Sequence, residues 1–428
     1  MQEKSQYQCK EIKEGIKIHT IRNSKFKTNL VAVFLTTKLS KENVTKNALI
    51  SAILRRGSKK LKTQEEISKK LEEMYGASFN CGIDKTGDNH ILKFYLESVN
   101  DNFLPQNDEN MLKTSIEELV EIVLNPLTSE EGFDEKYLKQ EKENIKKRIE
   151  GKIDNKAQYS FERCIEEMYK NKPYGLYKFG YIEDLEKISN KELYNYYKEL
   201  IQTCKVDIFI SGNISEEDNI FSEIENNENI KKLIARKPNY NIESFEDQNS
   251  EGAKTIKESM GVTQGKLVIG LDISKENKKE KYKILIYNAI LGGTANSKLF
   301  QEVREKASLA YTASSSYLRH KGNIIIICGI EIQNFDKALE IIKKQLENMQ
   351  SGNFSDEDIQ NAKKGITSSI MAIEDEQDSE IMYYFGQELT NKAETIEEYI
   401  KNIQNVTKED IQKIAKDIKI DTIYFLKD

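Results

Sequence analysis

The sequence predicts an α+β protein of two homologous domains, each a mostly antiparallel sheet covered on one face by helices. Three observations carry this. The order of strands and helices in the first half recurs in the second. The strands are short apolar or alternating runs bounded by turn residues, and the helices that follow space their apolar residues at helical period. A repeat of roughly 200 residues is also too long for a solenoid unit, so each copy should fold on its own core.

The first half opens with the strands "GIKIHTIRN" and "LVAVFLTT", then a helix over roughly 44–55 and a second at "TQEEISKKLEEMYG". Strands "ASFNCGID" and "HILKFYLES" follow, then a long helical tract from about 108 to 171 broken by the turn "NPLTSEEGF". The half closes with "ISNKELYNYYKELI", in which Ser189 and Glu192 stand in capping-box positions, and with the strand "VDIFISG". In the second half, strand "GKLVIGLDI" leads to helices "EKYKILIYNAILG" and "SKLFQEVREKA", strands "LAYTASSSYL" and "NIIIICGIEI", and a pair of helices. It ends on "VTKEDIQKIAKDI", capped by Thr407 and Asp410, and the strand "DTIYFLKD". The expected organisation is an N-terminal domain over 1–235, a polar linker over 236–254 and a C-terminal domain over 255–428.

Of 428 residues, 32% are charged and 38% hydrophobic, a globular composition. The 65 basic against 71 acidic residues give a net charge of -6, which offers no general attraction to nucleic acid or anionic lipid. No apolar run is long enough to span a membrane, so the expectation is a cytoplasmic chain. The five cysteines are scattered singly with no C-x-x-C pair and read as mostly buried thiols. Only His19, His90 and His320 are present, none within a helical turn of another, which removes the usual i, i+4 histidine metal site. His19 and His90 are expected at strand surfaces, Gly292-Gly293 as a turn, and the charge runs "SKENKKEKYK" and "IEDEQDSE" as solvated faces.

Four stretches, in this order, resemble the pitrilysin/insulinase family of zinc metallopeptidases in its two-domain form: "ILRRGSKKLKTQEEISKKLEEMYGASFN", "FDEKYLKQEKENIKKRIEGKIDN", "NKPYGLYKFGYIEDLEKISNKELYNYY" and "ILGGTANSKLFQEVREKASLAYTASSSY". Length and wording are also similar to a bacterial offshoot associated with modification of elongation factor P. Catalytic members carry an inverted H-x-x-E-H motif, two histidines on one helical face holding zinc and a glutamate as general base. Aligned on Gly57, the resemblance puts the histidines at Ala48 and Ala52 and the glutamate at Ser51. Its third ligand falls on Arg148, while Glu141 matches the acidic residue seven positions earlier. No ligand is left, so no metal is expected in this chain.

The second half keeps Arg304 and Tyr311, which match the arginine and tyrosine that catalytic assemblies of the family place beside the zinc. A plainer reading makes them a solvated helix residue and an ordinary strand aromatic. The resemblance implies a non-catalytic subunit that forms a heterodimer with a zinc-bearing homologous peptidase subunit. It would help to bind and process an extended peptide, supplying Arg304 and Tyr311 in trans. The zinc belongs to the partner, and neither nucleic acid nor a membrane span is involved. The alternative is a metal-free peptide-binding or scaffold protein.

Overall fold

The computed structural model describes residues 5–105, 110–129, 132–215, 219–242, 245 and 252–428. The chain divides into two compact units, one of Met1–Glu150, Leu176–Ile242 and Glu376–Leu389, the other of Gly151–Gly175, Glu243–Asp375 and Thr390–Asp428. These differ from the contiguous segments 1–235 and 255–428, because each half lends a helix to the other half's sheet. Parts of the expected linker and of the turn "NPLTSEEGF" lie outside the described residues. The described stretch 236–241 is part of the first unit, with Asn239 N–H donating to Thr203 O at 2.7 Å and Asn241 N–H to Asn89 Oδ1 at 2.7 Å.

The first unit contains strands β1 (Gln6–Lys13), β2 (Ile16–Arg22), β3 (Thr28–Lys38), β4 (Ser78–Thr86), β5 (Asn89–Val99), β6 (Thr128–Ser129), β7 (Gly132–Phe133) and β8 (Lys205–Gly212). Six of them form one sheet in the order β1-β2-β8-β3-β5-β4, and β6 pairs with β7 alone. All neighbours in the large sheet are antiparallel except β2 and β8. Central β3 is buried on both faces, which is why "LVAVFLTT" is a continuous apolar run rather than an alternating one. Val31, Val33 and Leu35 join Ile208 and Ile210 in the core, and helices Val44–Ile53, Met111–Leu124 and Asn190–Thr203 pack on this sheet. On the other face Phe34 and Phe209 meet Phe385 of helix Gln377–Glu388, with ring centroids 4.8 and 6.4 Å apart. Gln377 seals that contact by donating to Ser211 O at 2.7 Å. The run "IEDEQDSE" is therefore not a solvated face throughout, since Gln377 and Glu380 are buried.

The second unit contains β9 (Lys254–Ser259), β10 (Gly265–Asp272), β11 (Ala310–Leu318), β12 (Asn323–Ile330) and β13 (Lys419–Lys427), in the order β11-β12-β10-β13-β9. Strand for strand this matches β4-β5-β3-β8-β2, including the one parallel pair, β9 with β13. The duplication read from the sequence is a duplication of topology. Helix Lys156–Met168 lies on this sheet, where Tyr159, Cys164 and Met168 share a core with Val268, Ile325 and Tyr424. Glu258 of β9 anchors it, accepting from Tyr159 Oη at 2.6 Å, Tyr424 Oη at 2.7 Å and Arg163 Nε at 3.2 Å. The long helical tract expected to about 171 is thus interrupted at Gly151–Ile153, where the chain passes from one unit to the other.

Candidate functional site

The positions that resemblance assigns to the zinc motif lie on helix Val44–Ile53, which continues as a tight turn over Leu54–Arg56. Gly57 ends it where no side chain fits, since a Cβ there would sit 2.9 Å from Leu61 O. Ala48 is buried in the core and Ala52 packs at its margin. Ser51, at the general-base position, donates its hydroxyl to Gly82 O at 3.0 Å and so ties the helix to β4. The half-buried Cys81 thiol of β4 belongs to the same neighbourhood. Burial pushes its pKa up against the pull of Arg55 and Arg148, with Glu141 adding to the rise and Ser51 bonded to it. Nothing in its surroundings along the chain singles out Cys81, an isolated cysteine in a strand.

Helix Glu135–Glu150 packs against this helix and carries Glu141 and Arg148. Glu141 is buried and forms an ion pair with Arg56 through Nε and Nη2, and it also accepts from Asn144 Nδ2 at 3.2 Å. Arg56 Nη1 donates onward to Gln64 Oε1 at 2.8 Å. The acidic residue that would support a metal ligand is committed to an arginine. Arg148 is exposed, its guanidinium stacked 4.9 Å from the Phe179 ring centroid. At the three ligand positions two methyl groups and a guanidinium offer no lone pairs, and at the base position a neutral hydroxyl donates to a carbonyl, so these residues do not fit a catalytic zinc.

Both first-half histidines are buried rather than at strand surfaces. His90 Nδ1 accepts from Asn47 Nδ2 at 3.1 Å and Nε2 donates to Lys178 O at 3.0 Å, while Asn47 Oδ1 accepts from Tyr196 Oη at 2.9 Å. Burial pushes the His90 pKa down to about 3, so the ring is neutral in the fold. The unfolded chain, with an ordinary histidine, binds the proton first. Stability is therefore full above about pH 6.5 and falls as the pH drops toward 3. At pH 5 the loss from this residue should be about 2 kcal/mol, read as a lower denaturant midpoint than at pH 7.5. A His90→Gln variant should show a lower but flatter profile.

Among the described residues one group of potential metal ligands converges. Cys9 Sγ, a His19 ring nitrogen and a Glu388 oxygen lie within 4.8 Å of one another. Two of the three, His19 and Glu388, are already committed to other partners. His19 Nε2 donates to Asp207 Oδ1 at 3.0 Å and Nδ1 accepts from Tyr7 Oη at 2.8 Å. Glu388 takes Lys17 at 2.8 Å and Lys205 at 3.3 Å, and Lys205 also pairs with Asp207. Two carboxylates against two ammonium groups leave no net charge to draw a cation. The cluster reads as a polar strut holding helix Gln377–Glu388 to the sheet.

Arg304 and Tyr311 sit on consecutive elements of the second unit. The segment Phe300–Lys306 is wound as a π-helix, a form often found at functional sites. Its Arg304 is exposed, 3.5 Å from Glu305 Oε1 and stacked 4.6 Å from the Phe300 ring centroid. The chain turns back at Ser308, whose φ of 51° is left-handed, and Leu309 N–H donates to Val303 O at 3.1 Å. Tyr311 then falls at a register shift of edge strand β11, between Ala310 paired with Ile330 and Thr312 paired with Gly329. Bulges of this kind re-aim a side chain, and Tyr311 is 78% exposed. β11 packs along the π-helical segment. Gly292 closes a helix end against it: a Cβ there would meet Ser315 Oγ at 2.6 Å, so the glycine pair serves packing and not phosphate.

A duplicated sheet fold of this kind, with alanine and arginine at the positions that the resemblance assigns to the metal ligands and serine at that of the base, is the fold of a metallopeptidase homologue with a departed motif. Residues 187–366 match the family described as "Peptidase M16 inactive domain". The chain is 34% identical over 414 residues to "Probable inactive metalloprotease YmfF" of Bacillus subtilis, spanning 96% of each. It is also 24% identical over 294 residues to "Uncharacterized zinc protease YmxG" of that organism, spanning 67% of this chain and 69% of that one. Among solved structures, a conserved protein from Enterococcus faecalis V583 shares the fold with a TM-score of 0.85 and 28% identity over 98% of both chains. A peptidase M16 inactive domain from Pseudomonas fluorescens shares it with a TM-score of 0.78 and 17% identity, over 98% of both chains.

The chain belongs to the M16 peptidases, the pitrilysin/insulinase family, and within it to the inactive, non-catalytic homologues. None of these relatives' names carries the elongation factor P association. No helix among the described residues is long and apolar enough to cross a membrane.

Proposed function

We propose that this protein is the metal-free subunit of a heterodimeric M16 peptidase, pairing with a zinc-bearing homologue and presenting Arg304 and Tyr311 to peptide bound at the partner's metal. The observation that carries the proposal is the placement of Tyr311. A tyrosine held at a bulge on an edge strand and 78% exposed buries little of its ring in its own fold, whereas a hydroxyl donor at such a place can steady an oxyanion formed on a neighbouring subunit. Arg304, on the element packed beside β11, would bind a substrate carbonyl.

Extended peptide would add to a sheet edge, and β4 and β11 both end their sheets. Relatives support the pairing: one organism, Bacillus subtilis, has a relative named a probable inactive metalloprotease and others named zinc proteases. The five free thiols agree with a reducing, cytoplasmic setting. The test is to mix the chain with a zinc-bearing homologue from the same genome and follow mass and peptide cleavage. A complex that cleaves faster than the homologue alone is expected; two species that neither associate nor change in rate would remove the proposal.

A further inference from the structure

The second unit holds a cavity of about 900 Å³ at the end of β11 remote from Tyr311, about 25 Å along the strand at the usual rise per residue. Its charge is not balanced. Of the lining cations, Lys278 is spent on Asp272 at 2.9 Å and Lys281 on Glu394 at 2.7 Å. Glu394 is further occupied by the Tyr282 hydroxyl and by Asn402 Nδ2 at 2.9 Å. Glu398, the other lining carboxylate, accepts from Thr395 N–H at 2.9 Å in a capping box. Lys275 also lines the cavity and is engaged; Lys279, Arg319, Lys392 and Lys401 remain, from four separate segments, without an acidic partner among the described residues. Four cations around one concavity, set against the single remaining charge of Glu398, in a chain of net charge -6, make a local field that opposes the overall one. The run "SKENKKEKYK", expected as a solvated face, contributes a buried lysine and part of this wall.

We propose that this cavity binds a compact polyanion carrying several phosphoryl groups. Its dimensions decide between ligand chemistries. A cavity of this volume is about 10 Å across if roughly equant. An extended acidic peptide shows one face only every second residue, about 7 Å apart, so four carboxylates would span roughly 20 Å. A polyphosphate chain or a multiply phosphorylated small molecule places the same charge within the space available. A single phosphate satisfies too few of the four cations. Lysines act here as mobile point charges and Arg319 as the planar fork that fixes one phosphoryl group.

The test is calorimetry on the full chain with tripolyphosphate, inorganic phosphate and hexaglutamate. Tripolyphosphate is expected to bind at one site, to weaken about tenfold between low salt and ~0.3 M salt, and to exceed both other probes by at least about tenfold. The double variant Arg319→Ala/Lys401→Ala, and the milder Arg319→Gln/Lys401→Gln, should each weaken binding by about tenfold or more, while Lys344→Ala on another helix should not. No binding of tripolyphosphate at low salt would overturn the proposal. So would affinity that both double variants leave unchanged, or hexaglutamate or inorganic phosphate binding as tightly.

Discussion

Replacing Tyr311 with phenylalanine should lower peptide cleavage by the mixed complex about 100- to 1000-fold, through kcat, while leaving the two subunits associated. Losing one preorganised donor from a developing oxyanion commonly costs about 3 to 4 kcal/mol of barrier. The substitution removes only an oxygen atom, from a ring that is 78% exposed, so the fold of the second unit should not change. Arg304→Ala should raise KM as well, since a residue that grips a substrate carbonyl acts before the transition state. Steady-state kinetics with sedimentation of the complex separates the two effects. Unchanged rates in both variants would mean that the pair plays no part in the chemistry, leaving a peptide-holding or scaffold role.

The largest stability effect is expected at Arg56. Its ion pair with Glu141 is shielded, the side chains being 16% and 5% exposed. Arg56→Met would strand the Glu141 carboxylate in the interior with Asn144 as its remaining donor, and breaking such a pair from one side costs about 3 to 5 kcal/mol. Hydrogen exchange of helix Glu135–Glu150 should show the loss directly. The double variant Arg56→Met/Glu141→Leu should recover most of it, because no charge is then left buried. A single variant as stable as the native chain would mean that water reaches Glu141 and that the pair is a surface contact.

The elements that repeat were legible because local chemistry specifies them. Thr407 and Asp410 form both halves of a capping box, Ser189 accepts from Glu192 N–H at 3.2 Å, and the strands announced by "VDIFISG" and "NIIIICGIEI" are β8 and β12. What escaped has a common cause. β1 and β9 lie at sheet edges with mostly exposed side chains, so neither carries an apolar signal. The exchange of helices Lys156–Met168 and Gln377–Glu388 depends on contacts more than 90 residues away in sequence, such as Arg163 with Glu258; nothing in either helix names its sheet. At the candidate site, the residues at the positions that the resemblance assigns to the ligands could be read from the sequence. The Arg56–Glu141 pair could not, since 85 positions separate the partners and both charges look ordinary in sequence.

The most direct test of the account is the zinc content of this chain purified alone and equilibrated with the metal, measured by elemental analysis after removal of loosely held ions. The account predicts far less than one equivalent, and no peptide cleavage by the chain alone. One tightly held zinc per chain, retained through gel filtration and accompanied by hydrolysis, would contradict it.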